Sequence, residues 1–457
     1  MIPERLQPIL DEVNPLADRL HAAGHAAYLV GGIVRDLLLG RVRPGADLDL
    51  TTDATPAETK AVLDNWADAV WEQGAAFGTI GARKGDTVFE VTTHRAEAYR
   101  EDSRKPHVVF ATDVTEDLSR RDFTINAMAL RLPDVELIDP FGGAADLAAG
   151  RLRTPLTPEV SFSDDPLRML RAARFIAGYG VTPDEDLVTA VCDLRGRLEI
   201  VSAERIRDEL SKLLVVDDPS AGLWFLADTG LSDEFLPELL AMRLEQDPIH
   251  RHKDVLAHTI AVVAKTSPRL VVRLAALLHD VGKPKTRAIG PRGVSFHHHE
   301  VVGARMARDR LRALRFPTDV VEDVQRLVFL HLRFHGYGDD VWTDAAVRRY
   351  IRDAGPLLDD LNQLTRCDCT TRNERKARLL AARMDALEAR IAELREKEEL
   401  DALRPDIDGN RVMELLGIGP GRQVGEALAM LLEARLDEGP LGQEEAERRL
   451  LAWWAAR

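Results

Sequence analysis

Residues 26–52 read AAYLVGGIVRDLLLGRVRPGADLDLTT. The first apolar run ends at Gly31 and Gly32, and the following IVRDLLLG carries apolar residues at helical spacing up to Gly40. This pattern predicts a strand, a tight turn and a helix. Glycines at such a turn let the backbone approach an anion closely, and the free N–H groups of a helix start bind phosphate oxygens. On its own, however, a glycine pair is more often ordinary turn chemistry.

The end of this stretch, ADLDLTT at residues 46–52, alternates acidic and apolar residues. On a strand, Asp47 and Asp49 point to one face, while the leucines beside them enter the core. Two adjacent carboxylates destabilise a sheet face unless a cation lies between them, and Mg²⁺ binds through one or two carboxylates plus substrate phosphates. The segment therefore predicts a magnesium site, with a solvated acidic strand end as the alternative.

A second β-prone run, DTVFEVTTHR at residues 86–95, carries Glu90 between two apolar residues. Glu90 is the candidate third carboxylate. Three acids that hold two ions would activate a hydroxyl on one side and neutralise a triphosphate on the other, as in two-metal polymerases. The alternative is a strand acid that faces solvent.

Length and composition bound the class of protein. The 457 residues suffice for about three domains of ~150 residues each. No apolar run approaches the roughly 20 residues that span a bilayer, and the acidic, amphipathic N-terminus is unlike a signal peptide, so we expect a cytoplasmic protein without a membrane segment. The three cysteines predict reduced thiols, and the net charge of −15 argues against indiscriminate nucleic-acid binding.

Five segments occur in a fixed order: YLVGGIVRDLLLG…DLDLTT, FEVTTHR, RRDFTINAMAL, IDPFGGAADLAAGRLRT and DDPLRMLRAARF. Together they resemble the class II tRNA nucleotidyltransferases, which are the CCA-adding enzymes and their bacterial poly(A) polymerase relatives. The resemblance implies an α+β fold, in which a polymerase-β-like head with a mixed sheet precedes mostly α-helical domains. The implied domains are the head (1–155), a neck for base recognition (156–240), an HD metal-binding domain (241–375) and a helical tail that contacts tRNA (376–457).

The resemblance also implies site residues in the head. Asp47 and Asp49 would ligate Mg²⁺. The implied contacts with the nucleotide's triphosphate are Gly31, Gly32 and Arg35, and those with its ribose and phosphates are Arg121, Asp122 and Asn126. Independently of the family, RRDFTINAMAL has the composition of a turn that enters an amphipathic helix.

The segment SFSDDPLRMLRAARFIAGYG at residues 161–180 predicts one helix capped by Ser163, on which Asp165 and Arg168 are neighbours three apart. Cytosine and adenine both present an amino donor beside a ring-nitrogen acceptor, whereas uracil and guanine present the reverse. A carboxylate beside a guanidinium matches the first pattern. The pair is therefore expected to admit CTP and ATP, as the family's Asp–Arg pair does, with a surface ion pair as the alternative.

Two further arginines of this segment, Arg171 and Arg174, continue the same helix face and suit base or phosphate contacts. Downstream, SAERIRDELSKLL resembles the family's neck helix. There we expect Glu204, Arg205 and Glu209 to organise the arginines.

A separate site is predicted in the middle of the chain, where most of the histidines occur. His279–Asp280, followed by VGKP, resembles the HD-domain metal phosphohydrolases. Imidazole and carboxylate together bind one or two transition-type ions and lower the pKa of a bound water. Carried over by position, the ligands are His258, His279, Asp280, His299, His331 and Asp368, with His297 and His298 as competitors of His299. The expected metals are Mn²⁺, Co²⁺, Ni²⁺ or Fe²⁺, and the expected substrate is a phosphoester such as a 2′,3′-cyclic phosphate.

Taken together, these motifs predict an enzyme that adds CCA from CTP and ATP to the 3′ end of tRNA by two-metal transfer. An A-adding, CC-adding or poly(A)-adding relative is an open alternative, governed in the family by the segment at residues 95–109. A second alternative is an HD phosphohydrolase with a passive RNA-binding head. The expected partners are tRNA and nucleoside triphosphates, and the expected state is a monomer or a homodimer.

Overall fold

The computed structural model describes residues 6–42, 45, 47–100, 103–111, 113–244, 254–290, 293–334, 342–369, 373–398 and 404–457. The chain divides into two compact units, Met1–Leu240 and Ala241–Arg457. Within the described ranges, no helix is both long and apolar enough to cross a bilayer.

The first unit contains most of the strands. Its helices are α1 (Gln7–Ala22), α2 (Gly32–Leu39), α3 (Pro56–Asp64), α4 (Val114–Ser119), α5 (Gly143–Ala149), α6 (Pro158–Asp164), α7 (Leu167–Tyr179), α8 (Glu185–Leu194), α9 (Ala203–Leu214), α10 (Ser220–Asp228) and α11 (Pro237–Ala241). Its strands are β1 (Ala27–Val30), β2 (Leu48–Thr52), β3 (Ala69–Trp71), β4 (Thr79–Lys84), β5 (Thr87–Thr93), β6 (Arg95–Arg100), β7 (Ser103–Phe110), β8 (Ala129–Leu132), β9 (Glu136–Ile138), β10 (Arg151–Leu152) and β11 (Thr182–Pro183).

A seven-stranded mixed sheet organises this unit, with the strand order β3-β4-β5-β2-β1-β8-β9. Only the central pair β2–β5 of this sheet is parallel, and the remaining neighbours are antiparallel. Leu16 and Leu20 of α1 share one buried cluster with Leu29, Leu50 and Phe89 of the sheet. Each fully buried leucine or phenylalanine contributes about 1.5–3 kcal/mol relative to an exposed one. The mixed sheet and the helices that follow it confirm the predicted α+β fold.

The opening stretch folds as predicted, into strand β1, a turn at Gly31 and helix α2, which ends at the left-handed Gly40. The RRDFTINAMAL prediction is wrong. Residues Thr124–Asn126 form a single 3₁₀ turn, and Ala129 then begins strand β8, which pairs with β1. Pairing with a buried central strand therefore overrides the local helical pattern.

The single helix predicted from Ser163 is also wrong, because the segment forms two helices. Helix α6 ends at Asp164, Asp165 is extended (φ −136°, ψ 99°), and Pro166 caps α7. The ring of a proline disfavours helical geometry in the residue before it, so Pro166 causes the break at Asp165. Ser163 therefore lies inside α6 and caps nothing.

The segment at residues 95–109, expected to govern the type of addition, forms most of a hairpin. Strands β6 and β7 pair antiparallel, from Arg95 opposite Phe110 to Arg100 opposite Ser103. Residues 101 and 102 lie outside the described residues. The prediction about this segment's role stays open.

The second unit is almost entirely helical. Its helices are α12 (Val255–Lys265), α13 (Leu270–Leu278), α14 (Lys283–Thr286), α15 (His299–Ala313), α16 (Thr318–Leu330), α17 (Asp344–Ala354), α18 (Leu358–Asp368), α19 (Glu374–Glu398), α20 (Gly409–Leu416), α21 (Arg422–Glu438) and α22 (Gln443–Ala455). A short hairpin pairs β12 (Ala288–Gly290) with β13 (Gly293–Ser295). Helix α13 is buried along most of its length and packs on α12, α16 and α18.

Candidate active site and candidate metal centre

The candidate acidic site of the first unit lies where the two central parallel strands meet. Asp49 on β2 and Glu90 on β5 are directly opposite each other in the parallel register. Opposite residues of neighbouring strands project from the same face, so the two carboxylates are neighbours. Asp47 immediately precedes β2 and is exposed. Glu90 therefore lies beside Asp49, and its role as the third carboxylate of the site stays a prediction.

Charge at this site is crowded. Burial raises the pKa of the Asp49 carboxyl to about 6. Arg121 opposes that rise, whereas the negative charges of Glu90 and Asp47 add to it. An acidic group that is disfavoured as an anion by its surroundings gains from a bound cation, and oxygen ligands are those that Mg²⁺ prefers. Asp49, with the negative charges of Glu90 and Asp47 near it, is thus a candidate ligand of a divalent ion.

The backbone of Gly31 has a positive φ (+77°), which residues with a side chain rarely adopt. A Cβ at this position would lie 3.0 Å from Arg121 Nη1 and 3.6 Å from Asp49 Oδ2. The glycine turn is therefore packed against the acidic site. Gly32 begins helix α2 and approaches Arg35, whose Nη2 would be 3.4 Å from a Cβ there.

Arg35 is buried instead of lying open to a ligand. Its Nη1 donates a 2.6 Å hydrogen bond to Asn126 Oδ1, and its Nε donates to Asp36 Oδ1 at 2.9 Å. Its guanidinium also lies over the Tyr179 ring, 4.1 Å from the centroid. Arg35 is thus within the predicted site, but in this state it links α2 to α7.

Asp122 is the hub of a buried polar network. Its Oδ1 accepts a 2.9 Å hydrogen bond from Asn126 Nδ2, and its Oδ2 accepts one of 2.9 Å from Arg171 Nε. Burial opposes the negative charge, yet Arg171, Asn126 and Arg168 outweigh it and hold the pKa of Asp122 well below its usual range. Two of the predicted nucleotide contacts, Asn126 and Arg171, are therefore fixed by one carboxylate.

A cavity of about 400 Å³ lies beside this network. Its lining residues are Arg120, Arg121, Asp122, Asp165, Leu167, Arg168, Arg171, Arg205, Asp208, Glu209 and Lys212. The cavity thus collects five of the predicted nucleotide-binding residues. Arg174 is not part of the lining; its Nε donates to Glu209 Oε2 at 2.7 Å.

Asp165 and Arg168 both line the cavity. The alternative of an ion pair between them is wrong, because Asp165 is paired with Arg205. Asp165 Oδ2 accepts a 2.8 Å hydrogen bond from Arg205 Nη2 on α9. Arg168 Nη1 donates to Ser161 Oγ at 2.9 Å, and its Nη2 donates to the carbonyl oxygen of Arg120. The break at Pro166 separates the two residues, and each is held by a different partner.

Sequence reasoning missed four residues of this lining: Arg120, Leu167, Asp208 and Lys212. Helix α9 carries Arg205, Asp208, Glu209 and Lys212 at spacings of three, one and three, which places them on one helix face. That spacing was the available signal. The expected organising role of Glu209 fits its contacts, because it accepts from Arg174 at 2.7 Å and lies 3.5 Å from Arg171.

The candidate metal centre of the second unit brings together side chains from five helices. His258 comes from the middle of α12, and the others lie at or just beyond helix ends: His279, Asp280, His299, His331 and Asp368. The potential ligand atoms form two groups, and within each group they all lie within 4.8 Å of one another. One group is His258, His279 and Asp280, and the other is Asp280, His299 and His331. Asp368 joins them through His258, so all six predicted residues converge.

The ring atoms that face the centre are the Nε2 atoms. His258 Nε2 lies 2.9 Å from Asp368 Oδ1 and 3.3 Å from His279 Nε2. On the other side, His299 Nε2 lies 3.4 Å from Asp280 Oδ1 and 3.3 Å from His331 Nε2. Imidazole nitrogens and carboxylates at these separations are the donor set that transition-type ions prefer.

Backbone carbonyls fix the orientation of three of these rings. The Nδ1 atoms of His279, His299 and His331 lie 2.8, 2.8 and 2.6 Å from the carbonyl oxygens of Ala276, Phe296 and Val328. Each oxygen lies three residues earlier in the chain. This contact leaves Nε2 to bind a metal, as at known histidine metal sites. His297 and His298 are more exposed, so the choice between the three histidines falls on His299.

Two buried carboxylates, Asp280 and Asp368, stabilise positive charge at this centre. Burial opposes a charged His279, but Asp280 and Asp368 outweigh it and raise the pKa of His279 to about 10. Lys283 Nζ adds a 2.7 Å ion pair to Asp280 Oδ2. A group of buried carboxylates that stabilises positive charge in this way fits a cation, so the residues present fit a metal ion.

Gly282 sets the packing of this centre. A Cβ on Gly282 would lie 2.2 Å from the carbonyl oxygen of His299 and 2.8 Å from the backbone N of Gly303. We expect Gly282→Ala to lower the free energy of unfolding by about 1–3 kcal/mol and to displace His299, because backbone atoms have to move. Chemical denaturation and Mn²⁺ titration measure the two effects.

Gly425 of α21 is the matched control for that substitution. Apart from its chain neighbours and its own helix backbone, no described residue has an atom within 4 Å of the position that a Cβ would take there. Gly425→Ala should therefore raise the free energy of unfolding by about 0.5–1 kcal/mol. An equally stable Gly282→Ala protein with unchanged Mn²⁺ affinity would contradict the packing argument.

Comparison with known proteins identifies the family. Residues 27–153 match the poly(A) polymerase head domain, residues 180–242 match the "Probable RNA and SrmB- binding site of polymerase A", and residues 254–394 match the HD domain. An A-adding tRNA nucleotidyltransferase of Deinococcus radiodurans is 36% identical over 444 residues, which cover 94% of this chain and 95% of that protein. The chain belongs to the tRNA nucleotidyltransferase family.

This nucleotidyltransferase is also similar to proteins that are named as CCA-adding enzymes. A CCA-adding enzyme of Lactiplantibacillus plantarum is 39% identical over 232 residues, or 50% of this chain and 55% of that enzyme. The crystal structure of the Bacillus stearothermophilus CCA-adding enzyme in complex with CTP matches with a TM-score of 0.70 at 24% identity, covering 100% of this chain and 99% of that one. The similarity to this crystal structure shows that the two chains share a fold. The nucleotidyltransferase is thus an enzyme with an HD domain in addition to its head.

Proposed function

We propose that this tRNA nucleotidyltransferase completes the 3′ end of tRNA by adding C, C and A from CTP and ATP. The observation that supports the choice of CTP and ATP is one cavity lined by both the Asp165 carboxylate and the Arg168 guanidinium. These groups complement the amino donor and ring-nitrogen acceptor that cytosine and adenine share. Neither uracil nor guanine presents that arrangement.

In this proposal the acidic site carries out the transfer. Asp47, Asp49 and Glu90 would hold Mg²⁺, which when bound neutralises the triphosphate and promotes ionisation of the tRNA 3′ hydroxyl. Gly31 is the N-cap of α2. The free backbone N–H groups at the start of this helix could donate hydrogen bonds to phosphate oxygens. Arg121 lies near both the glycine turn and Asp49, where its charge would stabilise the negative charge that develops on the phosphates.

The same cavity would bind the base and the sugar. The base edge would meet Asp165 and Arg168, while Asp122 would offer an acceptor to a ribose hydroxyl. Asn126 is not part of the cavity lining, and its Nδ2 donates to Asp122 Oδ1 and would hold that carboxylate in place. Asp165 would exchange its ion pair with Arg205 for the amino group of the base. The 3′ hydroxyl would then attack the α-phosphate, the bond to pyrophosphate would break, and the pyrophosphate would leave.

A second candidate is addition of the terminal A alone. It is favoured by the similarity to the A-adding enzyme over nearly the full length of both chains, because the similarity to the Lactiplantibacillus plantarum CCA-adding enzyme covers about half. The Asp165–Arg168 cavity suits adenine as well as cytosine, so it does not separate the two candidates.

Three tRNA transcripts, which end before CCA, after C and after CC, separate these candidates when each nucleoside triphosphate is offered with Mg²⁺. The proposal predicts CTP addition to the first two, ATP addition to the third, and arrest after CCA when both nucleotides are present. ATP addition to the third transcript alone would establish the A-adding activity instead. An unending A tail would show a poly(A) polymerase.

For the second unit we propose a metal-dependent phosphoester hydrolase. The convergence of four imidazole Nε2 atoms and two carboxylates supports this function. When bound, a transition-type ion there would lower the pKa of a water molecule. The protein's own groups would hold the metal ligands in orientation through the backbone carbonyls behind His279, His299 and His331.

Replacing His279 by Ala should separate the two activities. Because loss of an outer partner of a metal ligand already costs 10–100-fold, loss of a ligand should lower Mn²⁺-, Co²⁺- or Ni²⁺-dependent hydrolysis of a 2′,3′-cyclic nucleotide by more than about 100-fold. Nucleotide addition to tRNA should be unchanged. Exposed His298 is the matched control, and His298→Ala should keep both activities. Equal hydrolysis by His279→Ala and the wild type would contradict the proposal.

A further inference from the structure

The segment before the Arg120–Arg121 pair contains a completely buried acid. Asp117 lies on the short helix α4 and has an exposed fraction of 0%. A buried carboxylate is costly unless charged partners surround it. Hydrogen bonds to the two carboxylate oxygens of Asp117 supply these charged partners.

Each oxygen of Asp117 holds a different arginine. Oδ1 accepts hydrogen bonds from Arg120 Nε at 3.1 Å and from Arg120 Nη2 at 2.7 Å. Oδ2 accepts one from Arg121 Nη2 at 3.2 Å. Burial opposes the ionised form, but Arg121 and Arg120 outweigh burial and hold the pKa of Asp117 below its ordinary value. The two arginines are thus fixed by one charge.

Both arginines lead to the nucleotide cavity, by different routes. Arg121 continues from Asp117 to the glycine turn, where its Nη1 lies 3.0 Å from the Cβ position of Gly31, and its charge acts on Asp49. Arg120 lines the cavity, and its backbone carbonyl accepts a hydrogen bond from Arg168 Nη2. The phosphate side and the base side of the cavity therefore meet at Asp117.

We infer that Asp117 is a positioning residue for nucleotide transfer, which holds Arg121 toward the triphosphate and, through Arg120, holds Arg168 toward the base. Asp117 itself touches no substrate, because it is fully buried. The inference rests on the proposed roles of Arg121 and Arg168, and it adds a reason why both side chains are in place before a nucleotide binds. Such preorganisation lowers the cost of ordering long, flexible arginine side chains during binding.

A double-mutant cycle tests the inference. Asp117→Asn, Arg121→Gln and the double variant are compared by kcat and KM for ATP addition to a tRNA that ends in CC. Asp117→Asn should raise KM for ATP about 10- to 100-fold. The double variant should lose less than the product of the two single losses, because the part of the Asp117 effect that acts through Arg121 is already gone in Arg121→Gln and only the Arg168 branch remains. Losses that multiply in the double variant would overturn action through Arg121.

A second measurement separates positioning from folding. If Asp117→Asn only reduced the amount of folded protein, kcat would fall while KM and the ratio of ATP to GTP incorporation stayed constant, and the inference would be overturned. The inference predicts that this ratio falls as well, since Arg168 loses its support. Should Asp117→Asn fail to fold, Asp117→Glu keeps the carboxylate and enters the same cycle, with the same expected rise in KM and loss of selectivity.

The matched control is Asp113, the cap of the same helix. Its Oδ1 accepts from the backbone N of Thr115 at 2.9 Å and is not part of the cavity lining. Asn caps helices as well as Asp does, so Asp113→Asn should leave KM and selectivity unchanged. If Arg121 has no role in nucleotide binding, Arg121→Gln alone would leave KM for ATP unchanged. That result distinguishes a failure of the proposed function from a failure of the role inferred for Asp117.

Discussion

Asp49→Asn should lower the incorporation of every nucleotide by at least about 1,000-fold, since several kcal/mol of charge stabilisation would be lost with the metal ligand. The effect should be the same for CTP and ATP, because the acidic site acts on the phosphates and not on the base. Single-turnover addition to tRNA transcripts measures it. Activity within 10-fold of the wild type would contradict the assignment of Asp49.

Loss of activity and loss of fold can be separated in this variant. Burial raises the pKa of Asp49 to about 6, so its ionised form costs stability above its unfolded pKa of about 4. A neutral amide of the same shape removes that cost, and thermal unfolding at pH 7 without metal should show an equal or higher Tm. Asp64→Asn, at an exposed acid paired with Lys60, is the control and should retain activity.

Glu90→Gln extends the same experiment to the third carboxylate. Glu90 lies opposite Asp49 in the register of two parallel strands. If it shares the metals, its loss should also affect all nucleotides, and the defect should lessen at high Mg²⁺. A Glu90→Gln enzyme with wild-type kcat and an unchanged Mg²⁺ requirement would leave only the aspartate pair.

Asp165→Ala should change which base is incorporated. Removal of the carboxylate deletes one of two groups that match cytosine and adenine, and each matched pair is worth about 1–3 kcal/mol of discrimination. The preference for CTP over UTP, and for ATP over GTP, should therefore fall by about 10- to 100-fold. Competition between paired nucleotides on tRNA transcripts that end before CCA and after CC measures the two ratios.

Glu159→Gln is the matched control, because Glu159 is an exposed acid in the first turn of α6, the helix that precedes Asp165. Both ratios should be unchanged there. Arg168→Ala should lower the same ratios as Asp165→Ala. Unaltered ratios in both variants, together with intact kcat, would show that other groups read the base.

The predictable part of the site depended on local patterns. Alternation in ADLDLTT placed Asp47 and Asp49 on a strand with its leucines buried, and β2 has that arrangement from Leu48 onward. The six histidine and aspartate candidate ligands could be chosen by their order along the chain, because the resemblance indicates which positions supply them. The choice between His297, His298 and His299 needed burial, which only tertiary packing decides.

The unpredictable part depended on contacts between distant segments. The register that sets Asp49 against Glu90 joins two strands far apart in the chain, and a slip of one residue would have turned Glu90 to the opposite face. Asp117 is an unremarkable acid in the sequence, and only its complete burial between two arginines reveals it. Pro166 is a local signal for a break at Asp165. The prediction of one helix gave more weight to the apolar periodicity of the residues that follow.

We propose that one chain carries a nucleotide-adding site in its head and a separate metal-dependent hydrolytic site in its second unit. The most direct test measures both activities in the same preparations of the wild type, Asp49→Asn and His279→Ala. We expect a crossover, in which Asp49→Asn loses addition of C and A to tRNA but hydrolyses a 2′,3′-cyclic phosphate normally, and His279→Ala does the reverse. Nucleotide addition that survives Asp49→Asn, or is lost with His279→Ala, would contradict it.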